Sequence, residues 1–130
     1  VFGGDNGRFW YEIFKDVCVI KQVRFTDITT AGFVKYTINS FLAMKVVFFN
    51  ELFHLFNKSA GLSFDSLTEI VSMDDRIGNS HLQVPGPDGD YGFGGACFPK
   101  DTKAFVQFAK DSGPLELLEH VIKLNNEIRN

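Results

Sequence analysis

Residues 30–59 read TAGFVKYTINSFLAMKVVFFNELFHLFNKS, a run with no proline and with Gly32 as its sole breaker. It predicts one helix from residue 30 to about 59, on the order of 40 Å long at the usual rise per residue, which Gly61 ends. Its apolar residues do not keep to one stripe. Phe33, Ile38, Phe41, Val46, Phe48, Phe49, Leu52, Phe53 and Phe56 go round most of the circumference, whereas a surface helix shows a single apolar face. The helix is therefore expected to be buried on several sides. A chain of 130 residues has one modest core to offer it. The natural remaining cover is the same helix of a second copy in a two-fold homodimer. The expected fold is mainly α, a helical domain around one long interface helix.

Outward from this helix the pattern is uneven. Residues 1–4 read as a strand end and turn, 5–16 as a short helix capped by Asp5 or Asn6, and 17–25 as a strand. Together they suggest a small β-α-β remnant. On the C-terminal side a helix is expected from residue 63 or 65 to 72. The irregular Asp74-Asp75-Arg76-Ile77-Gly78 and a loop through Val84-Pro85-Gly86-Pro87-Asp88-Gly89-Asp90 follow, then helices over 99–111 and 114 to about 129. The chain opens on Val1 and not on methionine, which reads as a piece of a longer protein.

The chemistry concentrates in Gly92-Phe93-Gly94-Gly95-Ala96-Cys97-Phe98-Pro99-Lys100-Asp101. Glycine lets backbone approach a ligand closely, and Pro99 suits the first position of a helix. Cys97 then stands at the positive end of that helix, where partial charge supports a nucleophilic sulfur. Asp101 follows about one turn later and can reach the same ligand. A thiol beside a carboxylate suits covalent chemistry at a carbonyl, with the carboxylate handling protons or water. Cys18 differs: in Val17-Cys18-Val19-Ile20 its neighbours are strand-like and apolar, so it reads as core filler. On the long helix, Lys35 and Asn39 stand four residues apart and share a face. Taken alone, a solvated helix-end lysine and a satisfied buried amide are their ordinary readings.

Composition sets limits. Sixteen acidic residues against thirteen basic ones give a formal charge of −3 with no dense basic run, which argues against nucleic acid as a partner. The most apolar stretch, residues 38–56, is interrupted by Asn39, Ser40, Lys45, Asn50, Glu51 and His54, too polar to face lipid, so no membrane span is expected. No signal peptide is visible, and two cysteines in unlike contexts make no disulfide framework, which fits a reducing cytoplasm. No metal-ligand cluster is expected.

Four blocks carry a resemblance. Lys35-Tyr36-Thr37-Ile38-Asn39-Ser40-Phe41-Leu42-Ala43, Phe49-Asn50-Glu51, Asp75-Arg76-Ile77-Gly78 and the Gly92 to Asp101 element, in this order and spacing, resemble the central domain of the UDP-glucose/GDP-mannose dehydrogenase family. The likeness runs over essentially the whole chain. Residues 1–26 are similar to the end of the family's NAD-binding domain, and residues 27–130 to its central dimerisation and substrate domain. The Pro99-Lys100-Asp101 ending and the Ser80 to Pro87 loop are most similar to the UDP-glucose 6-dehydrogenase branch.

The resemblance implies oxidation of a sugar C6 alcohol to a carboxylate in two hydride transfers to NAD. By the same resemblance, Cys97 is the nucleophile that captures the aldehyde as a thiohemiacetal, which is oxidised to a thioester. Asp101 manages water and protons, and Lys35 and Asn39 face the reacting carbon and stabilise its oxyanion. Tyr91, Gly92, Phe93 and Gly94 wrap the nucleotide sugar, Arg76 reaches substrate held by a neighbouring subunit, and Lys100 approaches the nicotinamide end of NAD. His54 and His81 receive no role. The sequence departs from the family at Ala31-Gly32, where an Ala-Glu pair is usual. No strand leads into Gly-x-Gly-x-x-Gly, so NAD is expected to be held mainly outside this stretch and the chain alone to be inactive. The alternatives left by the sequence are a dehydrogenase for another nucleotide sugar, such as GDP-mannose, and a dimerisation module without chemistry of its own.

Overall fold

The 30–59 run is helical from further upstream, over Ile28–Ser59 (α2), 32 residues and about 48 Å. The extra residues follow from a cap: the Thr30 N–H donates to Asp27 Oδ1 at 2.8 Å and the Thr30 hydroxyl to Oδ2 at 2.6 Å. A carboxylate that takes donors from the first turn fixes the start of a helix ahead of the apolar run. The computed structural model describes residues 1–59 and 61–129. Before α2 come β1 (Phe2–Gly3), α1 (Gly7–Phe14) and β2 (Phe25–Thr26); after it come α3 (Phe64–Ser72), α4 (Phe98–Ala109) and α5 (Glu116–Arg129). The mainly helical architecture around one long helix matches the expectation. The chain forms two compact units, Val1–Ile38 and Asn39–Asn130.

In the first unit β1 and β2 pair in parallel with α1 between them, so the β-α-β element is present. It is shorter than the sequence suggests. The strand expected over 17–25 reduces to Phe25–Thr26, because β1 offers only Phe2 and Gly3 as partners and a strand persists only where its backbone groups are paired. Val17 and Val19 consequently lie exposed. Cys18, expected in a core, is exposed as well: without a ladder there is no inward face to receive it. Asn6 occupies the cap position of α1 without a side-chain capping bond. Aromatic packing replaces the missing ladder, with Phe2 between Tyr11 and Phe25 at ring distances of 6.0 Å.

In the second unit α2 buries a stripe at Ser40, Ala43, Val47 and Asn50, the three- and four-residue spacing of one helix face. Ala43 and Val47 pack with Phe93 and Val121, and Phe49 packs with Phe64, Leu82 and Val84. Each large apolar side chain so buried contributes about 1.5–3 kcal/mol. α4 and α5 pack on one another. The Ser63 hydroxyl accepts from the Ser66 N–H at 3.2 Å and caps α3. The all-round burial expected of α2 is not met within one copy: Phe41, Phe48 and Leu55 are 60%, 58% and 63% exposed. Among the described residues no helix is long and apolar enough to cross a membrane.

Candidate active site

The Gly92 to Asp101 segment ends in α4, whose N-cap is Cys97, with Phe98 opening the helix and Pro99 second. A proline this early sacrifices no helical hydrogen bond. The Cys97 side chain makes no capping bond and is exposed. Its carbonyl accepts the Asp101 N–H at 2.8 Å, the first helical bond, which places thiol and carboxylate one turn apart. Asp101 is wholly buried. A buried carboxylate is costly unless it is paired, and its partners here include an amide and an ammonium. Asn39 Nδ2 donates to Oδ2 at 2.6 Å, and the Lys100 ammonium pairs with Oδ1. Beside it, buried Thr102 turns its hydroxyl back to the Phe98 carbonyl at 2.7 Å.

The glycine loop ahead of Cys97 is fixed from two helices. The Gly92 N–H donates to Asn50 Oδ1 of α2 at 2.9 Å. The Phe93 N–H donates to Asn125 Oδ1 of α5 at 2.6 Å, and Asn125 Nδ2 returns a bond to the Phe93 carbonyl at 3.0 Å. Gly92 has φ +71°, and a Cβ there would meet Asn125 Oδ1 at 2.5 Å, so only glycine fits. One turn beyond Asn125, Arg129 donates to the Tyr91 carbonyl at 3.2 Å and to the Asp88 and Asp90 carboxylates at 3.1 and 3.0 Å. The Asp90 N–H and then Arg129 hold the Asp88 carboxyl below the usual carboxylate range.

Beside the glycine loop lies a half-open cavity of about 460 Å³ lined by Val46, His81, Leu82, Gly86, Phe93, Gly94 and Phe98 among others. That volume is of the size small-molecule sites have. The opposite wall hangs on Lys45 of α2, whose ammonium donates to the Ile77 carbonyl at 2.8 Å and the Ser80 carbonyl at 2.6 Å. Partial burial lowers the Lys45 pKa. Burial, and after it the Lys45 charge, lowers that of His81.

Of the residues singled out in the sequence, Asn39, Asp101, Lys100 and Cys97 form one connected group, and Gly92, Phe93 and Gly94 form the loop beside it. Lys35 precedes Asn39 by one turn of α2, its ammonium 5.0 Å from the centre of the Tyr36 ring. Tyr91 turns to α2, stacking on His54 at 5.7 Å. Arg76 forms a local ion pair with Asp74, Nε to Oδ1 at 2.9 Å, which raises the guanidinium pKa and lowers that of the carboxyl. Sequence reasoning assigned no role to Asn50, Asn125, Arg129 or Lys45. A signal existed for Asn125: it falls on the stripe of Leu118 and Val121, where an amide must find a partner.

Residues 29–127 match the UDP-glucose/GDP-mannose dehydrogenase family, central domain. The UDP-glucose 6-dehydrogenase TuaD of Bacillus subtilis is 38% identical over 105 residues, 80% of this chain and 22% of its own length. That of Rickettsia conorii is 40% identical over 130 residues, 98% of this chain and 29% of its own. Among solved structures, a UDP-glucose dehydrogenase from the hyperthermophilic archaeon Pyrobaculum islandicum superposes with a TM-score of 0.75 at 30% identity, over 96% of this chain and 28% of that one. The chain thus spans between a fifth and a third of the length of these relatives. With its site blocks inside the matched residues, the chain belongs to the UDP-glucose/GDP-mannose dehydrogenase family.

Proposed function

We propose that the chain is the central, substrate-binding and dimerising part of a UDP-glucose 6-dehydrogenase that converts UDP-glucose to UDP-glucuronate in the cytoplasm. In this reading residues 1–26 close an NAD-binding domain and residues 27–130 form the central domain. The observation that carries it is the group built at the start of α4: an exposed thiol, and one turn on a wholly buried carboxylate held by Asn39. A pure dimerisation module has no use for a buried, paired carboxylate next to a thiol.

The chain's own residues supply the covalent part. The Cys97 sulfur adds to the C6 aldehyde, forming the S–C bond while the thiol proton passes to the oxygen. After the second oxidation, water attacks the thioester carbon, the C–S bond breaks, and the carboxylate leaves with the thiol restored. Asp101, shielded from bulk solvent, takes the proton of that water. Asn39 holds the carboxylate in place and, with Lys35, faces the oxyanion. Residues 91–94 wrap the nucleotide sugar, and Arg76 reaches the substrate of a neighbouring subunit. NAD fits these residues only in part. Gly3-Gly4-Asp5-Asn6-Gly7 joins β1 to α1 without the dinucleotide fingerprint, which leaves Lys100 as the contact toward the nicotinamide. When bound, NAD supplies the hydride acceptor.

The test is NADH formation by the complete dehydrogenase carrying this chain, across UDP-glucose, UDP-galactose and GDP-mannose. Two NADH per UDP-glucose are expected, and none from the 130-residue chain alone. Preference for GDP-mannose, or one NADH per sugar, overturns the reading.

A further inference from the structure

We propose that Asn50 and Asn125 are positioning residues that shape the backbone of residues 92–94 for the nucleotide sugar, acting on substrate binding and not on the chemical step. The inference rests on the dehydrogenase reading above.

The two carboxamides come from different helices, α2 and α5, and are 1% and 4% exposed. Neither lines the cavity, so they act through the loop. Between them they take the N–H groups of consecutive residues, Gly92 and Phe93, at 2.9 and 2.6 Å. Asn125 also donates to the Phe93 carbonyl, which reproduces the two-bond pairing of a strand neighbour on a segment that belongs to no strand. The chemical end of the segment is held separately. Asn39, on the same helix as Asn50 and three turns before it, binds Asp101. α2 therefore fixes the segment at two points about 16 Å apart along its axis. Loss of the Asn50 or Asn125 contact loosens the loop end and leaves the thiol and carboxylate in register.

The expected signature is a split between KM and kcat in the complete dehydrogenase with UDP-glucose as the varied substrate. Asn50→Ala and Asn125→Ala raise KM about tenfold or more while kcat stays within about twofold. Asn125→Asp adds a readout that bulk destabilisation does not move. A protonated carboxyl group carries the same donor and acceptor pair as a carboxamide, so KM of this variant returns toward that of the unaltered enzyme as the pH falls. Asn125→Ala shows no such recovery. Unchanged KM in both alanine variants, or a kcat loss at unchanged KM, overturns the proposal. Should the alanine variants not fold, hydrogen exchange in the unaltered protein decides. Slow exchange of the Gly92 and Phe93 amides supports the clamp, and the rates of an open loop overturn it. An unaltered enzyme that oxidises no nucleotide sugar removes the dehydrogenase reading instead, and the exchange measurement still settles whether the clamp holds the loop.

Discussion

Asn39 and Asp101, 62 residues apart in sequence, meet at 2.6 Å through an amide donor and a carboxylate acceptor. The bond ties the middle of the long helix to the first turn of α4, and it converts a buried charge from a liability into a fixed reference point. Asn39 Nδ2 carries a second N–H besides the one given to Asp101, so the same amide can hold the carboxylate and still donate elsewhere.

Asn39→Ala removes a side chain that partners this carboxylate. Hydrogen bonds to charged groups are worth about 1.5–3 kcal/mol, so urea unfolding is expected to show a loss in that range. Combined with Asp101→Asn, the second substitution should cost less than it does alone. Additivity of the two changes in a double-mutant cycle would show that the bond does not form.

Cys97→Ser in the complete dehydrogenase is expected to abolish net formation of the acid while leaving UDP-glucose affinity within about twofold, because a hydroxyl cannot replace the thiol in the second oxidation. Product analysis by mass spectrometry checks it. Near-normal turnover to the acid would remove the covalent mechanism.

His81 gives a pH dependence with a definite sign. Its folded pKa lies below the ordinary 6.5, through burial first and the Lys45 charge second, so the unfolded chain binds the proton more readily. The stability tied to neutral His81 is therefore fully present above about pH 6.5 and declines as the pH falls through the folded value. Because His81 sits at φ +63°, a conformation asparagine tolerates, His81→Asn is the suitable comparison. It should flatten the fall in unfolding free energy below pH 6.5. An identical slope in both proteins would exclude His81 as its source.

For the interface, the structure separates two phenylalanines that are neighbours in sequence. Phe49 is core, packed with Phe64, Leu82 and Val84, whereas Phe48, like Phe41, lies on the exposed side. The 14.6 kDa chain is expected to sediment as a dimer at micromolar concentration. Phe41→Asp should shift it to a folded monomer and Phe49→Asp should unfold it. A folded, monomeric unaltered chain would remove the interface.

How far the sequence reaches differs by element. The long helix was legible because its composition admits nothing else over some thirty residues, and its start moved upstream only because Asp27 acts as a cap. The thiol and carboxylate were legible because glycine, proline and charge crowd into ten positions. The strand over 17–25 was misread because its apolar residues carry a strand pattern while its pairing partner is two residues long. Cys18 went wrong with it. Asn50, quoted only within the Phe49-Asn50-Glu51 block, and Asn125 receive no role from the sequence for a different reason: what they bind is backbone, which has no letter in a sequence.

Gly92 and Gly94 press against Asn125 and Arg129, whereas Gly89, at φ +82°, has nothing within 4 Å of where a Cβ would stand. The same loop is thus intolerant at one end and open at the other. For protein engineering this sets two different limits. At Gly89 there is space, and the limit is the turn that Arg129 holds through Asp88 and Asp90; each residue moved toward Gly92 brings a graft against a wall of helix side chains.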